Sequence, residues 1–209
     1  DTSVGHIDTG YTLHPALGFP GPTWIDVARA RTFMPPSTGG QDSMFPAETG
    51  QGLDNLIGVN AGHGTRMAGT ISGYAPDAPG GAFYGVAPKV AHLPIRITDV
   101  VVINHAQRQF AQAVNYAIDT VGVKVINVSL GLFLGVVVKE MKTAINKAYD
   151  AGVIVVCAAG NHVNSVVAPA RLRRTFAVAG VTRLKIPWGG SSYGRQVDLS
   201  GPAADLRRA

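Results

Sequence analysis

Apolar runs of four to eight residues alternate along this chain with segments whose apolar residues recur at every third or fourth position. Short runs of this kind are typical of buried strands, and the wider spacing is typical of amphipathic helices. The predicted strands cover residues 4–7, 90–97, 123–128, 153–157 and 175–181. The predicted helices cover residues 108–121 and the stripe formed by Met141, Ala144, Ile145 and Ala148, which Gly152 ends. Alternating strands and helices predict an α/β fold, a doubly wound parallel sheet with helices on both faces.

Polar residues follow several of these strands. Asp8, Ser129 and Asn161 each come just after an apolar run. In open α/β sheets, sites lie beyond the carboxyl ends of the strands, so we expect these residues to serve one site. His63 is predicted to open a helix, where Gly62 and Gly64 let the backbone approach closely and leave the imidazole unobstructed.

A long segment rich in Pro and Gly, residues 19–52, separates Asp8 from His63. A structureless stretch of this length inside a compact domain is usually functional. We therefore expect a surface excursion at the rim of a cleft.

Three motifs follow one another along the chain. They are Asp8-Thr9-Gly10, then Gly62-His63-Gly64-Thr65 continuing to Ala68-Gly69-Thr70, then Ala158-Ala159-Gly160-Asn161. With them the chain resembles the subtilisin-like serine proteases, whose triad runs Asp, His, Ser. Residues 85–88 and 191–202 also match that family, so the resemblance covers nearly the whole chain. The family's nucleophile motif, Gly-Thr-Ser-x-Ala, is absent from these 209 residues.

The resemblance implies a role for each motif. Asp8 is expected to be the orienting acid, His63 the general base and Asn161 the donor to the oxyanion. Two short stretches resemble the family's substrate walls: Ser129-Leu130-Gly131 and Ala158-Ala159-Gly160. Their small residues are expected to leave room for the side chain before the scissile bond, and their free backbone groups to pair with an extended peptide.

The resemblance further implies a subtilisin-like three-layer sandwich that is truncated. Residues 1–209 would be one peptidase domain, incomplete at the C-terminus and at the N-terminus, in a secreted serine endopeptidase. Its substrate would be a peptide or protein. Two further candidate partners are a C-terminal segment carrying the serine and a propeptide.

Two regions depart from the family pattern. Residues 98–103 lack the Gly- and Ser-rich edge strand of subtilisins. Residues 75–85 replace the family's calcium loop, and Asp77 is their only carboxylate, whereas calcium takes six to eight oxygen ligands. No cofactor is expected for the chemistry, and a structural calcium ion has no clear site.

Other serines and the cysteine are poor candidates for the nucleophile. Ser192 lies in a formal Gly-x-Ser-x-Gly, but a nucleophile elbow needs a strand, a turn and a helix. Ser129 belongs to a substrate wall, Ser200 lies between Leu199 and Gly201, and Cys157 is expected to be a buried, inert thiol. The remaining histidines, His6, His14, His92, His105 and His162, show no metal-ligand spacing.

Composition and charge argue against several other classes of protein. The net charge of +5 reflects basic residues gathered late in the chain, namely Arg171, Arg173, Arg174, Arg183, Lys185, Arg195, Arg207 and Arg208. No nucleic-acid motif accompanies them, so we interpret them as a solvated face. No apolar run approaches the roughly 20 residues that span a bilayer. Cys157 is the only cysteine, so no internal disulfide can form.

Two other functions stay open at this point. Asp-Thr-Gly after an apolar strand is also an aspartic-protease signature, but that chemistry needs a second carboxylate and the motif occurs once. The third class is a binding or regulatory module that keeps the scaffold and lacks the nucleophile. A Gly-Thr-Ser-x-Ala-x-Pro sequence beyond Ala209 would decide for a protease.

Overall fold

The computed structural model describes residues 2–34, 60–78, 80–133, 135–204 and 206. They form two compact units, one running up to Val101 and the other from Val102 to Leu206. The excursion predicted at residues 19–52 lies outside the described residues from position 35 onwards. In the described part of the chain, no helix has the length and apolar content needed to cross a membrane.

The described residues of the first unit form three parallel strands, one α-helix and a small antiparallel hairpin. The parallel strands are Ser3–Asp8 (β1), Arg31–Thr32 (β2) and Ala91–Arg96 (β5), in the order β2-β5-β1. The hairpin pairs Tyr74–Ala75 (β3) with Ala82–Phe83 (β4). The helix is His63–Ser72 (α1), and a single turn of 3-10 helix covers Pro15–Leu17.

Burial explains why β1 and β5 could be predicted. Five of the six residues in each strand are buried. Ile7, Leu93 and Ile95 are fully enclosed, and burial of both faces leaves these strands without a regular apolar–polar alternation. Their polar residues His6, Asp8, His92 and Arg96 are buried as well. The expectations at residues 4–7 and 90–97 are confirmed. The two-residue strands β2, β3 and β4 are too short to leave such a pattern.

Four parallel strands and two α-helices occur in the part of the second unit that the structure describes. The strands are Val125–Val128 (β6), Ile154–Ala158 (β7), Phe176–Val181 (β8) and Leu199–Pro202 (β9), paired in the order β6-β7-β8-β9. The helices are Gln107–Tyr116 (α2) and Lys139–Asp150 (α3), which pack against each other. The predicted strands and helices of this unit are confirmed to within a few residues.

Local sequence explains how the two helices end. Gly152 follows α3 in a left-handed conformation, with φ of +70°, as expected of a residue just after a helix. The helix predicted over residues 108–121 is shorter, because α2 gives way to a π-helical turn at Ala117–Val121. Gly122, with φ of +75°, closes that turn.

Candidate active site

Asp8 and His63 are hydrogen-bonded. The Oδ1 atom of Asp8 lies 2.7 Å from Nδ1 of His63. Asp8 is the last residue of β1 and its side chain is fully buried, whereas the His63 side chain, at the start of α1, keeps 16% of its surface exposed. A carboxylate can only accept, so Nδ1 of His63 carries the proton and Nε2 is left with a lone pair.

The residues next to Asp8 fix the position of α1. The Thr9 hydroxyl accepts a hydrogen bond from the Gly64 amide at 2.9 Å, and the Thr9 amide donates to Asp8 Oδ1 at 2.8 Å. A Cβ atom on Gly64 would lie only 2.1 Å from the Gly10 carbonyl oxygen. Gly64 therefore allows the helix to approach the strand end closely enough for the imidazole to reach the acid.

The turn before α1 orients His63 from the other side. Gly62 has φ of +64°, a conformation that favours glycine. The His63 amide donates to the Asn60 carbonyl at 3.0 Å, and the Asn60 side chain accepts from the Val101 amide at 3.2 Å. Sequence reasoning missed Asn60, since no motif marks it.

The environment keeps Asp8 ionised. Burial by itself would raise its pKa, but the interactions with His6 and His63 outweigh burial and hold the pKa of this carboxyl well below its usual range. A buried carboxylate that fixes the imidazole tautomer and stabilises its protonated form is what a general base requires.

Two further histidines lie behind Asp8. His6 Nε2 is 3.4 Å from Asp8 Oδ2, and His6 Nδ1 is 2.9 Å from His92 Nε2. Both rings are buried. Sequence reasoning considered them only as metal ligands, although the i, i+2 spacing of His6 and Asp8 on a strand is a signal that they share a face. No group of three or more side chains placed to hold a metal occurs among the described His, Cys, Asp and Glu residues.

Asn161 follows β7 in the second unit, with its side chain exposed. It bridges Ser191 in antiparallel fashion, and the neighbouring His162 amide donates to the Gly190 carbonyl at 2.8 Å. Gly160 and His162 have positive φ and Asn161 does not. A left-handed turn therefore does not explain why an asparagine stands at this position.

Several backbone groups of the predicted substrate walls already have partners within the protein. The Gly131 carbonyl accepts from the Ile103 amide at 3.0 Å. The Ala159 amide donates to Val178 at 2.9 Å, and the Ala159 carbonyl accepts from Val167 at 2.9 Å. The Gly160 carbonyl accepts from Ser192 at 2.8 Å. These four groups already have one partner each, and substrate binding by the two stretches stays a prediction.

The space beside two wall glycines is also occupied. A Cβ atom would meet the Val167 side chain at 2.6 Å from Gly131 and at 2.9 Å from Gly160. Val167 is itself buried. On this side the two glycines therefore make room for a side chain of the protein's own core, and room for a substrate side chain stays a prediction. The remaining wall residues Ser129 and Ala158 are half-buried, and Leu130 is buried.

The alternative nucleophiles lack suitable surroundings. The Ser192 side chain is fully buried, and no helix follows it in the described part of the second unit. Burial raises the pKa of the Cys157 thiol, which leaves it protonated and inert. Ser129 accepts from the Asn127 side chain at 3.3 Å, and Ser200 lies on β9.

Comparison with known proteins supports the resemblance found in the sequence. The chain is 34% identical over 172 residues to an extracellular serine proteinase of Thermus sp. (strain Rt41A), which covers 79% of this chain and 39% of that protein. It is 31% identical over 161 residues to the major intracellular serine protease of Bacillus subtilis (strain 168), covering 74% of this chain and 49% of that protein. The chain thus spans less than half the length of these two relatives.

The fold is that of solved subtilisin-like proteases. The prenylagaramide maturation protease PagA superimposes with a TM-score of 0.68 at 21% identity, over 99% of this chain and 65% of that one. The arrangement is accordingly an α/β three-layer fold with a mostly parallel sheet. The family model for subtilases, Peptidase_S8, matches residues 1–207, and the chain belongs to the subtilase family.

Proposed function

We propose that this chain contributes the acid and the base of a serine endopeptidase that hydrolyses peptide bonds through an Asp-His-Ser triad. The observation that carries the proposal is the hydrogen bond from His63 Nδ1 to the buried Asp8 carboxylate. Membership of the subtilase family supports it. The serine would come from outside these 209 residues, which contain no Gly-Thr-Ser-x-Ala motif.

In this mechanism His63 Nε2 takes the proton of the serine hydroxyl as that oxygen attacks the scissile carbonyl carbon. Asp8 stabilises the resulting imidazolium. The tetrahedral intermediate collapses as His63 gives the proton to the leaving amine, and water repeats the sequence on the acyl-enzyme. Asn161 is proposed to donate its amide N–H to the oxyanion, and its exposed side chain is available for that contact.

The substrate is proposed to be an extended peptide or protein segment lying along Ser129–Gly131 and Ala158–Gly160. The Ala159 amide already donates to Val178, so other backbone donors would have to serve the peptide, whereas the Gly131, Ala159 and Gly160 carbonyls each keep a second lone pair. The chemistry needs no cofactor in this proposal. Secretion is proposed from the extracellular Thermus relative, and a propeptide is proposed as a further partner.

The test is covalent labelling with a fluorophosphonate probe, which reports an activated serine. Residues 1–209 joined to a segment bearing Gly-Thr-Ser-x-Ala should be labelled at that serine, and a His63→Ala variant of the same protein should not. Equal labelling of the two proteins would overturn the assignment of His63 as the base.

A binding or regulatory module is the second candidate, because the nucleophile motif is absent from the known sequence. It predicts peptide binding without turnover even when the serine segment is supplied. The aspartic-protease alternative finds no support, since the contacts that hold Asp8 are the His63 and His6 imidazoles and the Thr9 amide rather than a second carboxylate.

A further inference from the structure

We propose that His6 and His92 are positioning residues that hold the Asp8 carboxylate in one orientation and in its charged form, so that it can act on His63. The proposal rests on the roles proposed above for Asp8 and His63. It concerns a chain of four side chains in the first unit, His92, His6, Asp8 and His63, defined here as the relay.

The strands place three members of the relay together. His6 and Asp8 are two residues apart on β1, so both side chains point to the same face. The neighbouring parallel strand β5 supplies His92, whose register partner is Val4. The two imidazoles meet edge to face, with ring centroids 4.9 Å apart and planes at 85°.

Only one pair of neutral tautomers suits these contacts. If His6 carried its proton on Nδ1, its Nε2 lone pair would face the Asp8 Oδ2 at 3.4 Å, and two acceptors would repel each other in a buried site. With the proton on Nε2, His6 presents a donor to Asp8, and its Nδ1 accepts from the N–H on Nε2 of His92 at 2.9 Å. The N–H dipoles then all run toward the carboxylate.

The two oxygens of the Asp8 carboxylate differ in their hydrogen bonds. Oδ1 accepts from both the His63 ring and the Thr9 amide. Oδ2 makes no well-formed hydrogen bond to any described residue, and the His6 ring at 3.4 Å is its polar contact. Loss of that contact would leave half of a buried charge without compensation, which favours rotation or protonation of the carboxyl group.

Packing alone does not account for two imidazoles at these places. His6 and His92 are 1% and 0% exposed, and Nδ1 of His92 has no hydrogen-bond partner among the described residues. Burying an unsatisfied polar atom costs free energy that an aliphatic side chain of similar size would avoid. Burial also lowers the pKa of His92 well below its usual range, which keeps that ring a neutral donor.

In the described part of the chain, the titratable and charged side chains on the elements around Asp8 include Arg66 on α1, whose guanidinium donates to the Ala61 carbonyl. His6 lies on the same strand as Asp8, His63 on α1, and His92 and Arg96 on β5, where Arg96 is the register partner of Asp8. The Arg96 guanidinium is paired with Asp99. Of these groups, the His6 and His63 rings hold the pKa of the Asp8 carboxyl down, so a change on replacing His6 reports on the relay.

The experiment measures the ionisation of Asp8 by NMR, from the chemical shift of its carboxyl carbon as a function of pH. His6→Met removes the donor at similar volume, and His6→Gln keeps an N–H near the position of Nε2. In His6→Met we expect the Asp8 titration to move upward by about one pH unit, as befits the loss of one polar contact to a buried carboxylate. We expect His6→Gln to restore most of the shift. His14→Gln, at an exposed histidine, serves as the control and should change nothing.

An unchanged Asp8 titration in a folded His6→Met protein would overturn the proposal, because His6 would then only fill space. If His6→Met does not fold, the nitrogen shifts of His6 and His92 in the parent protein decide. Protons on Nε2 of both rings would support the relay, and a proton on Nδ1 of His6 would contradict it. The result is independent of peptidase activity, so an intact relay in a protein that never cleaves peptides would refute the proposed function and not this inference.

Discussion

The Nδ1 atom of His63 lies 2.7 Å from the Asp8 carboxylate, although the two residues are 55 positions apart in the sequence. The contact depends on a strand that ends at Asp8 and on a helix that begins at His63. Thr9 and Gly64 join these two ends by a second hydrogen bond. The pair is therefore held by the backbone as well as by its own attraction.

Replacing Asp8 by Asn tests the acid. The amide is nearly isosteric but presents a donor as well as an acceptor, so it can hold His63 in the wrong tautomer. In the serine-containing protein, kcat should fall by about 10⁴-fold, the size of this effect in serine proteases generally. KM should change little. A loss of less than tenfold would mean that Asp8 does not orient the base.

Replacing Gly64 by Ala tests how the helix is placed. The new methyl group would meet the Gly10 carbonyl at 2.1 Å, so strand and helix must separate. We expect the free energy of unfolding to fall by roughly 1–3 kcal/mol, the range for overpacking, and the Asp8–His63 hydrogen bond to weaken.

The matched control for that variant is Gly189→Ala. A Cβ atom there meets nothing within 4 Å, and the backbone is not left-handed. Its stability should stay within about 0.5 kcal/mol of the parent, as for ordinary surface substitutions. Urea denaturation measures the free energy of unfolding of both variants. Equal losses would show that the close contact at Gly64 does not determine the stability.

The depressed pKa of Asp8 predicts an acid-sensitive fold. Because the carboxyl group binds its proton less tightly in the folded state, its stabilising contribution is present above the unfolded pKa of about 4 and is lost as the pH falls toward the folded value. The free energy of unfolding should decrease more steeply below pH 4 in the parent than in Asp8→Asn. Urea denaturation at several pH values measures this free energy for both proteins. Equal slopes against pH would contradict the lowered pKa of Asp8.

Residues 1–209 alone should not react with a fluorophosphonate probe. In a related peptidase, loss of the serine costs about as much as loss of the whole triad, roughly 2 × 10⁶ in kcat. Mass spectrometry of the treated chain provides the measurement. Stoichiometric modification of any serine in this chain, Ser192 above all, would show that the nucleophile has been misidentified.

Much of the fold and the acid–base pair could be predicted because both leave local marks in the sequence. Strands such as β7 appear as continuous apolar runs, and glycines beside His63 mark a close approach. The strand β9 could not be predicted, since Leu199 and Ser200 are exposed and the strand forms through backbone pairing with β8.

Contacts that depend on register between distant strands left no such mark. His6 and His92 meet across 86 positions, and each looks like an isolated histidine in the sequence. Val167 fills the space on the Cβ side of Gly131 and Gly160, so internal packing is one reason for small residues there that the sequence did not reveal. Local patterns show which residues are small or polar, and only the assembled chain shows what occupies the space between them.

The central claim, that Asp8 and His63 are the acid and base of a serine peptidase, is tested most directly by fragment complementation. Residues 1–209 are mixed with a subtilase fragment that carries the Gly-Thr-Ser-x-Ala helix, and hydrolysis of a peptide substrate is measured together with thermal stability. The account predicts that activity and melting temperature rise together, and that His63→Ala gains the stability without the activity. Residues 1–209 that unfold cooperatively as a monomer, with no gain in stability or activity from the fragment, would contradict it and favour the binding module.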